Sequence, residues 1–122
     1  MFDWNGYFQI SKLLLNVGES RRDQEIEEAC YRCVISRAYY YVYNNARNVA
    51  KNNGYEHNAK YGRGSHQEII DYLNGIGKSV ASSYLSKLKK FRVDSDYEEN
   101  ITITVNKAKT AMTFVSTIEK NL

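Results

Sequence analysis

Apolar residues recur at helical spacing in five separate stretches of the chain. In each stretch they return every three or four positions, which places them on one face of an α-helix and is typical of amphipathic helices. The first stretch, 4–17, is apolar on more than one side, which indicates cover by a neighbouring subunit as well as by the core. The pattern predicts an all-α chain.

Capping and breaking residues mark the ends of the first two predicted helices. Asp3 is placed to cap the first helix and Gly18 to end it, so residues 4–17 are predicted to be helical. A second and much longer helix is predicted over 23–53, up to the breaker Gly54. At a rise of 1.5 Å per residue it would be roughly 45 Å long, the full height of a small bundle.

Similar signals place the later helices. Ser65 and Glu68 have the spacing of a capping box, which predicts that a third helix begins at Ser65. A fourth helix is predicted to begin around 78–79, after two glycines. Either Thr102 or Thr104 caps a last helix that continues to the end of the chain.

Composition agrees with a single helical domain. The sequence has no proline and only seven glycines, so the commonest helix breakers are rare. Apolar residues make up 43% and charged residues 25% of the 122 positions, which excludes a disordered chain. A brief alternation of apolar residues over 101–105 has no partner strand and does not predict a sheet. Residues 1–122 are therefore predicted to form one domain.

Cysteine use and the N-terminal residues predict a cytoplasmic protein. Cys30 and Cys33, the only cysteines, lie three apart on one predicted helix and do not form a disulfide framework. No second Cys or His pair completes four ligands, so core packing is favoured over a metal site, and no metal or other cofactor is expected. Residues 1–17 predict neither a signal peptide nor a membrane span.

Positive charge is concentrated in one segment. The net charge of the chain is +3, and residues 78–97 alone carry +3, with Lys87, Lys89 and Lys90 close together. Such a cluster is the electrostatic footprint expected of a protein that binds RNA or an acidic partner. The plainer interpretation is a solvated helix face.

Arg37 is the most unusual residue of the long helix, because its neighbours at helical spacing are apolar or aromatic. An unpaired guanidinium in such a place would cost several kcal/mol, so a carboxylate, a carbonyl or a bound anion is expected to face it. The candidate carboxylates are Asp71, Asp94 and Asp96. Without other information, an ion pair that fixes helix register is the favoured interpretation.

Two further residues are candidates for chemistry. His66 falls in the first turn of the third helix, where free backbone amides attract anions, although a surface or capping histidine is the more common case. Arg92 lies at the border of the inner face of the fourth helix. It is placed either to pair with Asp94 or Asp96 or to present its guanidinium to a phosphate.

The ordered set of these motifs resembles the HEPN family of α-helical domains, over nearly the whole chain. Small prokaryotic HEPN proteins carry an Arg-Ala-Tyr-Tyr segment on a long second helix, a Ser/Thr-His pair opening the next, and an Arg followed by Asp-Tyr. This chain has Ser36–Tyr40, Ser65–His66, and Arg92 followed by Asp96–Tyr97. Its opening Phe2–Trp4 is similar to that of one HEPN subgroup.

The resemblance implies an up-and-down bundle of four to five helices that pairs as a homodimer, in a toxin–antitoxin or anti-phage locus. Many HEPN proteins are metal-independent ribonucleases with an Arg-x(4–6)-His motif. This chain departs from that motif, since its nearest match, Arg63 to His66, is two residues too short. Whether the chain is an enzyme is therefore left open.

Three functions follow as expectations. The first is a module that binds RNA, a nucleotide or a partner nucleotidyltransferase antitoxin. The second is a HEPN toxin with a non-standard ribonuclease site, in which Arg37 supplies the cation, His66 the acid or base, and Asp96 orients both. The third is a structural partner subunit without a role in nucleic-acid binding. For the first function, the predicted contact residues are Arg37, Tyr40, Lys87, Lys89, Lys90, Arg92 and Tyr97.

Overall fold

The structure is a computed structural model that describes residues 1–20, 23–57 and 65–122, and it consists of five helices within those ranges. These helices are α1 (Asn5–Ser20), α2 (Gln24–Asn52), α3 (Ser65–Gly75), α4 (Ser79–Tyr97) and α5 (Val105–Lys120). No strand occurs in the described part of the chain, so the all-α prediction is confirmed. Arg63, the nearest match to the ribonuclease motif, lies outside the described residues.

Side chains cap three of the helices near the predicted positions. The Asp3 carboxylate accepts a hydrogen bond from the backbone N–H of Asn5 at 2.9 Å. Asp23 accepts one from the next helix in the same way. Of the two threonines predicted to cap the last helix, it is Thr104 whose hydroxyl accepts the N–H of Lys107, at 3.2 Å. Local hydrogen bonding therefore sets these boundaries.

The prediction that Gly18 ends the first helix is wrong, because α1 continues to Ser20. The residue is buried, and a Cβ atom built on it would lie 2.7 Å from Cε1 of Tyr31 and 3.1 Å from Cβ of Cys30. Glycine is therefore required for the close approach of α1 and α2. The residue predicted to end the helix is instead the place where α1 contacts α2.

The long helix α2 is the centre of the bundle and packs against each of the other four helices. Its fully buried residues include Val34, Ile35, Ala38, Tyr39 and Val42. An aromatic residue as large as Tyr39 at 0% exposure fixes how far the neighbouring helices stand from α2.

The two cysteines of α2 differ in their surroundings. Cys30 is buried, as predicted, whereas Cys33 is exposed, and both are free thiols. Residues three apart on a helix differ by about 60° around its axis, and here that rotation carries Cys33 past the edge of the core. Ile26, an apolar residue of the same helix, is likewise exposed, at 45%.

Arg32 ties α2 to the end of α4, a role that the sequence pattern did not indicate. Its guanidinium donates to the Glu28 carboxylate at 3.0 Å and to four backbone carbonyls. Those carbonyls belong to Asp94, Ser95, Glu98 and Ile101. Asp94 and Ser95 lie in the last turn of α4, and Glu98 and Ile101 follow it, so Arg32 gives a charged donor to carbonyls at and just beyond the helix end and holds that end against α2.

No described helix combines the length and the apolar character that a membrane crossing requires.

Candidate functional site

Side chains from three helices meet around the ring of Tyr40. The guanidinium carbon of Arg37 lies 5.3 Å from the centroid of that ring and the guanidinium carbon of Arg92 lies 5.4 Å from it. The His66 ring stands edge-on to it with 6.1 Å between centroids. With Asp96, which pairs with Arg92 at 3.6 Å, these residues form what we call the arginine–histidine cluster.

The fold explains why these residues meet. Arg37 and Tyr40 lie one turn apart in the middle of α2, and Arg92 and Asp96 lie one turn apart near the end of α4. α2 and α4 pack against each other, and the Arg32 contacts fix the register of that end of α4. His66 is the second residue of α3, which brings its ring to the same place.

Arg92 is the most buried charge of the cluster, with 8% of its surface exposed. Its distance of 3.6 Å to Asp96 is an ion pair but is too long for a hydrogen bond. Its Nε is buried without a hydrogen-bond partner, and its guanidinium donates no hydrogen bond within the described ranges. The rings of Tyr39, Tyr40 and Tyr97, at 5.3, 5.4 and 5.9 Å, surround the guanidinium instead.

Arg37 is half-buried and lies between two aromatic rings. Its guanidinium carbon is 4.8 Å from the ring centroid of Tyr7, on α1, and 5.3 Å from that of Tyr40. It donates to the hydroxyl of Ser36 at 3.3 Å, and that hydroxyl donates to Asp96 at 3.3 Å. Arg37 forms no ion pair with a described carboxylate, so it reaches Asp96 only through Ser36.

The other two carboxylates proposed for Arg37 have different partners. Asp94 pairs with Lys90 at 2.8 Å and with Lys107 at 3.6 Å, and the hydrogen bond from Lys90 lowers the pKa of this carboxyl. Asp71 accepts a hydrogen bond from Gln67 at 2.9 Å. Asp96 is therefore the carboxylate that serves the cluster.

His66 is held in a stack of tyrosines. Its ring lies 4.1 Å from that of Tyr43 at an interplanar angle of 18°, and its Nδ1 is 2.6 Å from the hydroxyl of Tyr39. Burial lowers the pKa of His66, and the positive charges of Arg92 and Lys89 lower it further. The imidazole is therefore neutral at pH 7.

Tyr39 stays protonated beside it. Burial raises the pKa of the Tyr39 hydroxyl above its ordinary value, and the charge of Arg92 only partly opposes this. Two neutral groups thus share the short hydrogen bond. If the His66 proton is on Nε2, Tyr39 donates to Nδ1 and Nε2 is a donor in the cluster. If the proton is on Nδ1, the imidazole donates to Tyr39 and Nε2 is an acceptor.

The three lysines predicted to bind RNA are divided between two sides of α4. Lys89 bonds to Gln67 at 3.3 Å and is close enough to influence His66. Lys87 and Lys90 lie about 140° and about 160° around the helix axis from Arg92. They contact Tyr84 and Asp94 respectively and are not brought to the cluster.

Other predicted and unpredicted residues complete the site. Tyr97, which was predicted to bind RNA, is 70% exposed beside Arg92. Sequence reasoning assigned no role to Tyr7, Tyr39 or Tyr43, whose rings hold the arginines and the histidine. A usable signal was present, because 11 of the 122 residues are tyrosines and several follow one another on α2.

No metal site is indicated in the described part of the chain, where no three His, Cys, Asp or Glu side chains gather closely. The cluster can instead bind an anion. It presents two guanidinium groups, one carboxylate and a neutral imidazole, and aromatic rings exclude water from one side of it.

Comparisons with models of protein families, with characterised proteins and with solved structures find no match for this chain. The HEPN resemblance therefore stays an expectation from the sequence.

Proposed function

We propose that the chain is a HEPN-like RNA-binding module whose arginine–histidine cluster holds a phosphate group of the RNA. The observation that carries this proposal is the state of Arg92, which is buried and yet makes no hydrogen bond within the described residues. A buried donor left without a hydrogen bond costs about 1–3 kcal/mol. A phosphate would accept hydrogen bonds from the terminal nitrogens of this guanidinium.

The charge balance of the cluster also favours an anion. Arg37 and Arg92 contribute two positive charges and Asp96 one negative charge, so with a neutral His66 the cluster carries +1. Lys89 adds to this field, which is strong enough to contribute to the low pKa of His66. A single phosphodiester would neutralise the excess left by Asp96.

Aromatic surface beside the cluster favours RNA over an isolated anion. Tyr97 is 70% exposed next to Arg92, and Tyr40 is partly exposed between the two arginines. Unpaired bases of RNA stack on such rings, while the phosphates contact the cations nearby. The position of these groups supports a single-stranded ligand.

The test is the binding of a fluorescein-labelled oligouridylate of about eight nucleotides, followed by anisotropy over a series of salt concentrations. Affinity should fall with salt by a log–log slope of about −0.7 for each phosphate contact. Arg37→Ala should weaken binding roughly tenfold and make the slope shallower by about 0.7, and Arg92→Lys should weaken it because the planar fork is lost.

Lys120→Ala, which removes an exposed charge from the last turn of α5, is the control and should leave affinity unchanged. The proposal is rejected if the parent protein does not bind the oligonucleotide. It is also rejected if Arg37→Ala and Arg92→Lys bind as well as the parent protein.

A ribonuclease is the second candidate, and the neutral His66 between cations favours it. In that reaction the imidazole takes the proton of a ribose 2′-hydroxyl, whose oxygen attacks phosphorus. The two arginines stabilise the charge that develops on the phosphate oxygens, and water protonates the leaving 5′-oxygen as a 2′,3′-cyclic phosphate forms. Asp96 orients Arg92.

The purified protein should then cleave bulk RNA in the presence of EDTA, and His66→Ala should abolish cleavage. Lys120→Ala, which lies in the last turn of α5, is the control and should cleave normally. The ribonuclease function is rejected if the parent protein does not cleave RNA, or if His66→Ala cleaves it as well as the parent protein. RNA binding without cleavage would then remain.

We also propose that the chain forms the homodimer expected of a HEPN-like protein through the outer face of α1. Ile10 and Leu13 are 45% and 59% exposed there, and Val17 extends the same stripe. The charges of α1 are few, and Glu19 is already paired with Lys109 at 3.2 Å. Two copies can therefore meet without opposing like charges.

A further inference from the structure

A second concave site lies next to the arginine–histidine cluster. It is an open cavity of about 630 Å³ between the last turns of α2 and the start of α3. Its polar and aromatic lining comes from Tyr43, Arg47, Lys51, Tyr55, His57 and Ser65. Tyr43 belongs to both sites, because its ring stacks on His66 at 4.1 Å. We call this cavity the Tyr55 pocket.

The cations of the Tyr55 pocket continue the line that begins at Arg37. One stripe along α2 contains Arg37, Tyr40, Asn44, Arg47 and Lys51, which follow one another at spacings of three and four residues. Asn44 is buried, so the other four form the accessible part of the stripe. The stripe is about 21 Å long from Arg37 to Lys51 at the rise of an α-helix. That length exceeds the reach of one nucleotide, so a ligand that contacts both ends must be a chain.

Within the described residues, no carboxylate pairs with Arg47 or Lys51. Arg47 and Lys51 are both exposed, and in the described ranges neither forms an ion pair. The acidic groups near them are Glu56, which lines the pocket, and Glu68, whose carboxylate accepts hydrogen bonds from Tyr55 and His57. Two free cations therefore stand against one exposed carboxylate at the pocket.

The Tyr55 ring forms one side of the pocket and is held in place by two contacts. Its hydroxyl donates to Glu68 at 2.6 Å, and its ring is held edge-on against Tyr72 at 5.3 Å. Burial raises the pKa of this hydroxyl to about 12, with the hydrogen bond to Glu68 as the next cause, so it stays a neutral donor. A ring that is already ordered loses little entropy when a base stacks on it.

We propose that the Tyr55 pocket receives the base of a nucleotide that neighbours the one held at the arginine–histidine cluster. Arg47 and Lys51 contact the phosphates that flank this base, so that single-stranded RNA lies along the α2 stripe. The proposal rests on the proposed RNA-binding function. It adds the path that the strand takes along α2, without assigning the 5′-to-3′ direction. A cavity of this volume is in the range of small-ligand pockets and has room for a base and its ribose.

The shape of the site selects single strands. A base enters a concave pocket only if it is turned out of its stack, which an unpaired strand allows at small cost and a duplex does not. The same sequence presented as a duplex should therefore bind only through its phosphates. Such binding would be weaker and would not depend on Tyr55.

The pocket cations are tested with a pair of lysines in equivalent positions. Lys51 lies in the last turn of α2 and Lys120 in the last turn of α5, so Lys51→Ala and Lys120→Ala remove the same charge from the same place in a helix. With the labelled oligouridylate, Lys51→Ala should make the salt slope shallower by about 0.7, whereas Lys120→Ala should not change it.

The stacking role is tested at Tyr55 itself. Tyr55→Leu should lower affinity roughly tenfold, as expected when the stacking of one base is lost, whereas Tyr55→Phe keeps the ring and should retain affinity. If circular dichroism shows that Tyr55→Leu is poorly folded, use of the Tyr55 pocket is tested by Lys51→Ala and by the comparison of single-stranded with duplex RNA.

The outcomes separate the two proposals. If Arg37→Ala weakens binding while Lys51→Ala and Tyr55→Leu bind like the parent protein, the Tyr55 pocket is not used and the RNA-binding function stands. Equal affinity for single-stranded and duplex RNA also overturns the pocket alone. If the parent protein binds neither RNA, both proposals fail.

Discussion

Replacing Gly18 by alanine should destabilise the protein, although alanine is the better helix former. Gly18 lies within α1, where the Cβ atom of an alanine would stand 2.7 Å from Cε1 and 3.2 Å from Cδ1 of Tyr31. The Tyr31 ring is 3% exposed, and its hydroxyl is bonded to Glu27 at 2.9 Å, so it has little room to move away. Either the ring or α1 itself must shift.

The expected magnitude combines two opposing effects. Inserting one methyl group into a closely packed contact typically costs about 1–3 kcal/mol. Alanine in place of glycine inside a helix returns about 1 kcal/mol at most. We therefore expect Gly18→Ala to lower the free energy of unfolding by about 1–2 kcal/mol, and the melting temperature by roughly 4–8 °C for a chain of this size.

Gly6 supplies the matched control, because it lies in the same helix and a Cβ atom there would have nothing within 4 Å. Gly6→Ala should leave stability unchanged or raise it by up to about 1 kcal/mol. Urea unfolding followed by circular dichroism measures both variants. A second control removes the closer obstacle, since Gly18→Ala should cost less in a Tyr31→Leu background, where only the 3.1 Å approach to Cβ of Cys30 remains.

Equal effects of Gly18→Ala and Gly6→Ala would show that the contact of α1 with Tyr31 does not limit the packing of these helices. The result also bears on function. Tyr7 of α1 lies against the Arg37 guanidinium, so a shift of α1 should change the arginine–histidine cluster as well as stability.

Three further outcomes are expected. Arg32→Ala should lower the free energy of unfolding by about 2–4 kcal/mol in urea titrations, because four backbone carbonyls lose a charged donor, and Arg32→Lys should be intermediate. The folded-state pKa of His66 is below its unfolded value, so the unfolded chain binds the proton more readily; stability should fall as pH drops below about 6.5, and less steeply in His66→Gln. Leu13→Glu should give a monomer by sedimentation velocity if α1 forms the dimer interface, while Lys120→Ala should not change the size.

Helical periodicity predicted the fold well because most of its information is local. The spacing of apolar residues located all five helices, and the caps at Asp3, Asp23 and Thr104 set their starts through hydrogen bonds to residues two or three positions away. The prediction for Gly18 was wrong because its role depends on a contact with a second helix and not on local sequence. A glycine that permits a helix contact and a glycine that ends a helix look alike until the second helix is known.

The candidate site was predictable only in part. The sequence singled out Arg37 because its helical neighbours are apolar, yet Arg92 is the more deeply buried of the two arginines. Periodicity assigns a residue to a face of its own helix and does not say which rings from other helices will cover it. The linkage of Arg37 to Asp96 through Ser36 likewise depends on the register between α2 and α4.

Arg32 and Arg92 show how two arginines between the same helices can be told apart. Arg32 makes five hydrogen bonds, to Glu28 and four carbonyls, which equals the number of N–H donors of a guanidinium. Such complete satisfaction is what a purely structural arginine needs. Arg92 is more buried and has an ion pair to Asp96 at 3.6 Å, without a hydrogen bond in the described part of the chain. If its role were only to hold α2 and α4 together, Arg32 would already fulfil it at lower cost. The incomplete hydrogen bonding of Arg92 therefore supports the anion site proposed for the arginine–histidine cluster.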